Sequence, residues 1–304
     1  MPTVTVLMSS YNGDKYISEQ IESLLAQKGV EIRIVIRDDG SKDQTNNILS
    51  EYSSKCSEII LIKGDNCGAE ESFNRLCKYA VEEESSDYYA FCDQDDVWDE
   101  DKLSVAINSL KGFDNTLPLL YFSNLKMVDE NLNYIRDFYS KDEVFIDKSK
   151  TLVQIFTYGC TCVFNRKALE YYCQVEPQST FHDNWIYCIC SYLGKVIYDP
   201  CGRIQYRQHE NNLSGHRVTG LTLLAYRIKR LFKGNLGHNF ETMAKQMLKF
   251  ANEFQTADLK TIQRVATYRS NMMSKLQLLF SASYTTGHLV KDLCIKYRIL
   301  FNCL

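Results

Sequence analysis

The chain has 304 residues, 45% hydrophobic and 24% charged, with a formal net charge of −3. These values exclude a disordered chain or a fibrous repeat, and they leave room for one large domain or two ordinary ones around a substantial core. The near-neutral total hides an asymmetry: residues 216–304 carry 14 Lys+Arg against 4 Asp+Glu, whereas residues 1–215 carry 21 against 34, so the two parts face different partners. The opening "MPTVTVLMSS" has no basic leader, and no stretch approaches the ~18 uninterrupted apolar residues of a membrane span. The expectation is a protein that is cytosolic or bound to a membrane surface. Twelve cysteines include C-x-C pairs at Cys160/Cys162 and Cys188/Cys190 but no C-x-x-C and no zinc-type array, so they read as small core residues in a reducing compartment.

Strand and helix patterns alternate from the start. Residues 4–10 (VTVLMSS) read as a buried strand, and after the turn YNGD the positions Ile17, Ile21, Leu24 and Leu25 fall on one helical face. Residues 31–38 (EIRIVIRD) alternate as a strand, and SKDQ at 41–44 has the form of a capping box opening a helix through Leu49 and Tyr52. EIILIK (58–63) predicts a third strand, 69–83 a helix with Phe73, Leu76, Cys77 and Ala80 inward, and YYAFC (88–92) a fourth strand. This alternation implies right-handed crossovers and a mainly parallel α/β sheet. Ligands of such sheets sit at the carboxyl ends of strands, where SSYNGD, RDDGS and CDQDD all fall.

The third of these ends crowds six carboxylates into the nine positions from Asp93 to Asp101. Carboxylates this close raise one another's pKa unless a cation or hydrogen-bond donors are supplied, so a positive partner is expected. A nucleotide diphosphate with a divalent metal fits, because oxygen ligands suit hard cations and the metal bridges phosphate to carboxylate. Asp93 and Asp95, adjoining the strand end, suit that site; Asp99, Glu100 and Asp101 suit a solvated helix N-terminus.

The segments VTVLMSSYNGDKYISEQIESLLAQ, IRDDGSKDQT, GDNCGAEESFN and FCDQDDVWDEDKL, followed by YGCTCVFNRKALE, FHDNW and YRQHENN, resemble in order and spacing the family 2 inverting glycosyltransferases with the GT-A fold, on the bacterial rhamnosyltransferase-like branch. The likeness covers about residues 3–213 and implies a GT-A catalytic domain at 1–215, with 216–304 as a basic, mainly helical extension. It also implies roles. Ser9, Tyr11 and Asp39 would hold the nucleobase, a carboxylate accepting the ring imide N–H of uracil or thymine. Asp95 would be the principal ligand of Mn²⁺ or Mg²⁺, with Asp93 near the ribose or metal, and Asp96 adds a further candidate. Asp183 fits the base position, with His182 where the family usually carries an acid. His209 would complete the metal shell or meet the pyrophosphate, and Arg207 would offset phosphate charge. The residues alone leave bland alternatives open: Asp38 and Asp39 capping a turn, Asp183 capping a helix, His209 packing.

The implied reaction moves a sugar from a nucleotide-diphosphate donor, dTDP-rhamnose or a UDP-hexose, to a saccharide or polyprenyl-linked saccharide in bacterial surface-polysaccharide synthesis. In the basic extension, residues 221–233 and 289–301 are amphipathic helices that fit either peripheral contact with the inner face of the plasma membrane or packing on the catalytic domain. Rival readings are weaker. DQDDV matches a phosphatase nucleophile loop but lacks the downstream acidic pair, and SSYNGDKY lacks the Gly-rich basic loop of a nucleotidyltransferase. No base-stacking motif accompanies the basic tail, so nucleic acid is not an expected partner. A non-catalytic nucleotide-sugar-binding paralogue, or a partner subunit of an assembly complex, is the remaining alternative.

Overall fold

The computed structural model describes residues 1–140, 143–175, 180–209, 240–281, 284–286 and 289–302. The expected helix at 221–233, the expected boundary at 215 and the last residues of YRQHENN lie outside them.

The amino-terminal half follows the alternation read from the sequence: β1 (Thr3–Ser10), α1 (Ile17–Leu25), β2 (Glu31–Asp38), α2 (Thr45–Lys55), β3 (Ile59–Lys63), α3 (Ala69–Glu83) and β4 (Tyr88–Cys92). After the acidic stretch come β5 (Val97–Trp98), α4 (Lys102–Leu110), β6 (Leu119–Ser123), β7 (Lys126–Val128) and β8 (Tyr134–Asp137). Then follow β9 (Val163–Asn165), α5 (Arg166–Gln174), α6 (His182–Leu193), β10 (Lys195–Asp199) and β11 (Ile204–Arg207). The chain continues with α7 (Phe240–Met247), α8 (Thr256–Thr267), α9 (Met272–Phe280) and α10 (Leu289–Leu300).

Seven strands form one sheet in the order β10-β6-β9-β4-β1-β2-β3. β1 pairs in parallel with β2 and β4, and β9 is antiparallel to both its neighbours. The two-residue period of a strand splits β1 between two cores. Val4, Val6 and Met8 join Ile17, Ile21 and Leu24 on one face, while Leu7 joins Phe73, Leu76 and Cys77 on the other. Each fully buried Leu or Phe contributes roughly 1.5–3 kcal/mol, so the central strand is fixed from both sides. α2 starts later than the capping-box pattern suggests: the Ser41 hydroxyl bonds Asp38, and Asp43 instead accepts from the Thr45 amide at 3.0 Å. The cysteines of the core strands and helices are free thiols, with Cys77, Cys92, Cys160, Cys162, Cys188 and Cys190 buried.

A second sheet, β5-β11-β7-β8, lies beyond the acidic loop. β11 runs antiparallel to β5 with Gln205 opposite Val97, a register that carries the next residues of β11 back alongside Asp95 and Asp96. The carboxyl-terminal helices share the apolar cluster of α3 and α6: Phe240, Met243, Met247, Ile262, Val265, Leu278, Ile295 and Ile299 all belong to it. The Tyr284 hydroxyl donates to the Leu152 carbonyl at 2.6 Å, and Lys148 pairs with Asp258 at 2.6 Å. Among the described residues no helix is long and apolar enough to cross a membrane.

Candidate active site

The ends of β1, β2 and β4 open on one cavity of about 900 Å³. Ser9, Tyr11, Asp39, Asp93, Asp95 and His209 all line it. Gln94, also on the wall, joins two of these strand ends: its Oε1 accepts from the Tyr11 amide at 2.8 Å and its Nε2 donates to the Tyr11 carbonyl at 3.0 Å. Gly13 leaves room for this amide, since a Cβ there would lie 2.2 Å from the Gln94 amide oxygen and displace it.

The two aspartates ending β2 separate into different roles. Asp38 holds the following turn, accepting from the Gly40 and Ser41 amides and from Asn46 Nδ2 at 2.8 Å. Asp39 faces the cavity and is only 2% exposed. Burial pushes its pKa up, but bonds from Arg37 and from the Cys67 and Gly68 amides prevail and hold it below the usual carboxylate range.

In the acidic loop, burial and then the Asp95 and Asp183 charges push Asp93 up to about 7. His209 Nε2 lies 2.9 Å from Asp95 Oδ2. Asp96 points inward, accepting from the Arg207 amide at 3.1 Å, and its pKa is raised well above normal by burial, then by Asp95 and Asp93. Beneath it Lys102 is fully buried, its ammonium 3.1 Å from the Trp98 ring centroid, and burial lowers its pKa to about 8. The sequence carries no local sign of this internal cation, because a lysine opening an apolar helix ordinarily reads as solvated. Asp99 and Asp101 turn away to Lys126 and Arg203 at 2.6 and 2.8 Å.

Among the described residues two sets of side chains offer donor atoms to a cation, and only the first draws three of them closely together. Asp93, Asp96 and Cys160 place one ligand atom each within 4.8 Å of one another. Yet Asp96 and Cys160 are sealed in, burial raises the Cys160 thiol far from ionisation, and Lys102 already brings positive charge to Asp96. Asp93, Asp95 and His209 instead border the cavity, with the oxygen and imidazole donors that suit Mn²⁺ or Mg²⁺.

Arg207 departs from the expected phosphate contact. Its guanidinium, 2% exposed, donates from Nε to the Asp95 carbonyl at 2.9 Å and from Nη1 to the Glu130 carbonyl at 2.5 Å, and it pairs with Glu19 over the Tyr16 ring. Antiparallel pairing with β5 turns this side chain behind the acidic loop, where it is a brace.

Asp183 is not the cap of α6. Phe181 occupies that position and Asp183 falls in the first turn, accepting from the Asn184 amide at 2.7 Å. Burial raises its carboxyl to about 6, although the amides of Asn184, Asp183 and Gly159 pull it down. His182 stacks on cavity-lining Phe73 with centroids 3.8 Å apart, and burial lowers its pKa to about 3, so it is neutral packing beside the carboxylate.

A nucleotide-type sheet with this carboxyl edge is the architecture of a glycosyltransferase with the GT-A fold. The chain belongs to glycosyl transferase family 2, whose model matches residues 5–173. It is 32% identical over 230 residues to the dTDP-rhamnosyl transferase RfbG of Shigella flexneri, covering 70% of this chain and 75% of that one. It spans about half of another curated relative, a glycosyltransferase of Rickettsia typhi, at 28% identity over 53% of this chain and 49% of that one. Among solved structures it is similar to S. aureus TarS in complex with UDP-GlcNAc, with a TM-score of 0.56 at 17% identity over 97% of this chain and 89% of that one. The mannosyltransferase PcManGT of Pyrobaculum calidifontis, in complex with GDP-Man and Mn²⁺, gives a TM-score of 0.52 at 15% identity over 99% and 88%.

Proposed function

We propose that this glycosyltransferase moves a sugar, with inversion, from a dTDP or UDP donor to a saccharide or lipid-linked saccharide acceptor in bacterial surface-polysaccharide synthesis. The observation carrying the reading is the meeting of Ser9, Tyr11, Asp39, Asp93, Asp95 and His209 around one cavity, with Asp183 near enough to raise the Asp93 pKa. The Shigella flexneri relative's description as a dTDP-rhamnosyl transferase supports the donor class.

In this mechanism Asp39 accepts the imide N–H of the base, while Ser9 and Tyr11 border it. Asp93, Asp95 and His209 would hold Mn²⁺ or Mg²⁺, which when bound neutralises charge developing on the departing diphosphate. Asp183 takes the proton of the acceptor hydroxyl as that oxygen attacks the anomeric carbon, and a single displacement inverts the centre. The buried site around Asp183 keeps its carboxylate basic enough for the task. The test is binding of UDP, dTDP and GDP with and without Mn²⁺, followed by transfer from the matching sugar nucleotide. A metal-dependent preference for a pyrimidine diphosphate is expected; binding without transfer favours the non-catalytic nucleotide-sugar-binding alternative, and binding of none of them favours the partner-subunit one.

We further place the enzyme at the cytoplasmic face of an anionic membrane, with lipid-linked acceptors in reach. Support comes from α9 and α10, whose outer faces carry Met272, Leu276, Phe280, Leu289 and Leu293 beside exposed Lys291 and Lys296. Phe280 is 82% and Leu289 76% exposed, an apolar face with a cationic rim that matches a bilayer surface. Cosedimentation with phosphatidylglycerol but not phosphatidylcholine vesicles is expected, and it is lost if Leu276→Glu/Phe280→Glu removes the contact.

A further inference from the structure

Arg37 lies in the donor site without touching the cavity. It is 2% exposed at the end of β2; Nη1 donates to Asp39 Oδ1 at 2.5 Å and to Ser72 Oγ at 3.1 Å, and Nη2 donates to the Asp65 carbonyl at 3.0 Å. Ser72 in turn accepts from cavity-lining Ser9 at 2.7 Å. The fit is close, because a Cβ on Gly64 would lie 2.5 Å from Nη2.

The donors around Asp39 are unevenly shared. Oδ1 takes Arg37, the Cys67 amide at 2.9 Å and the Cys67 thiol at 3.1 Å, whereas Oδ2, among the described residues, takes the Gly68 amide alone at 2.9 Å. Each carboxylate oxygen has about two acceptor sites, so Oδ1 shares its sites among three donors while Oδ2, with one, keeps a site for a ligand. Three ionisable groups act on this carboxylate, Arg37 from β2, Cys67 from the β3–α3 loop and Arg75 from α3, and Asp93, Asp95 and Lys15 line the same cavity. Two of the three are cations and the thiol is a donor, so Asp39 presents an acceptor and no proton. A base with a ring N–H at that edge, uracil, thymine or guanine, meets a partner. Cytosine or adenine, with a ring nitrogen lone pair there, meets a second lone pair.

We propose that Arg37 is a positioning residue for nucleobase selectivity: by fixing Asp39 as an acceptor, it makes the donor site take bases with a ring N–H and reject cytosine. The proposal rests on the reading that Asp39 meets the base. The experiment measures UDP and CDP affinity by calorimetry at constant Mn²⁺, from about pH 5.5 to 8, for the parent chain, R37M and R37K. A hydrogen bond to a charged group sets the parent's UDP preference at roughly 10- to 100-fold. In R37M that ratio is expected to fall below about 3-fold, and CDP binding is expected to strengthen as the pH drops, because a protonated Asp39 donates to cytosine. R37K keeps the charge but not the fork, so it is expected to restore part of the ratio. A merely structural Arg37 would weaken both nucleotides equally and leave the ratio at the parent value, which overturns the proposal. If R37M does not fold, R37K decides: a parental ratio in R37K overturns it and a reduced one supports it. A parent chain that binds UDP and CDP equally, with metal dependence intact, overturns the Asp39 reading itself.

Discussion

Under the proposed mechanism Asp183→Asn separates catalysis from stability, because the two effects have opposite signs. Asparagine keeps the shape and can still accept from the Asn184 amide, but it neither ionises nor takes a proton. Loss of a general base costs roughly 10²- to 10⁴-fold in turnover, and donor affinity should hold because Asp183 does not line the cavity proposed for the nucleotide. Stability moves the other way. Burial shifts the carboxyl from 3.8 to about 6, and at ~1.4 kcal/mol per tenfold change in proton affinity this is on the order of 3 kcal/mol against the folded, ionised state. Because the folded pKa is raised, the native chain holds the proton more tightly than the unfolded one. The cost is therefore full above about 6 and fades as the pH falls towards 3.8. Asp183→Asn should melt several degrees higher near pH ~8, at about 2–4 °C per kcal/mol for a chain of this order of size, and the gain should vanish near pH ~4. The parent's turnover should fall on the acid side of about 6 as the base protonates. The assay is nucleoside diphosphate release at saturating donor, beside melts across pH. Near-normal turnover in the variant, or a lower melting point at pH ~8, refutes the reasoning.

Asp95→Ala should abolish the Mn²⁺ dependence of nucleotide binding while leaving metal-free affinity nearly unchanged, measured by calorimetry with and without the ion. Arg207→Met should act on stability first, costing roughly 2–4 kcal/mol in denaturant melts because the Asp95 and Glu130 carbonyls lose a buried charged donor; an unchanged midpoint would refute the brace. Gly159→Ala would put a Cβ 2.3 Å from His182 Nε2, and that ring, stacked on Phe73, has little room to yield. The start of α6 must shift, so turnover should drop at least ~10-fold with donor affinity retained.

The sequence alone determined the elements and the edge of the sheet at which polar residues gather. Periodicity placed β2, α3 and β4 at their observed bounds, and alternation of strand and helix forced a parallel sheet whose strand ends carry SSYN, DDGS and DQDD. Those are local properties: hydrophobic period and turn chemistry act over a few residues. What each polar side chain does was decided by partners far along the chain. Asp38 and Asp39 are adjacent, yet one caps a turn and the other faces the cavity, because only Asp39 meets Arg37, Cys67 and Gly68. Arg207 has the charge of a phosphate ligand, but the β5–β11 register turns it behind the loop onto the Asp95 carbonyl. Lys102 and Asp96 are buried together because α4 packs on β6 and β9 and β11 covers the acidic loop, contacts with distant parts of the chain that no local pattern encodes. Burial sets both the desolvation cost of a charge and the identity of its partner, and burial belongs to the tertiary structure.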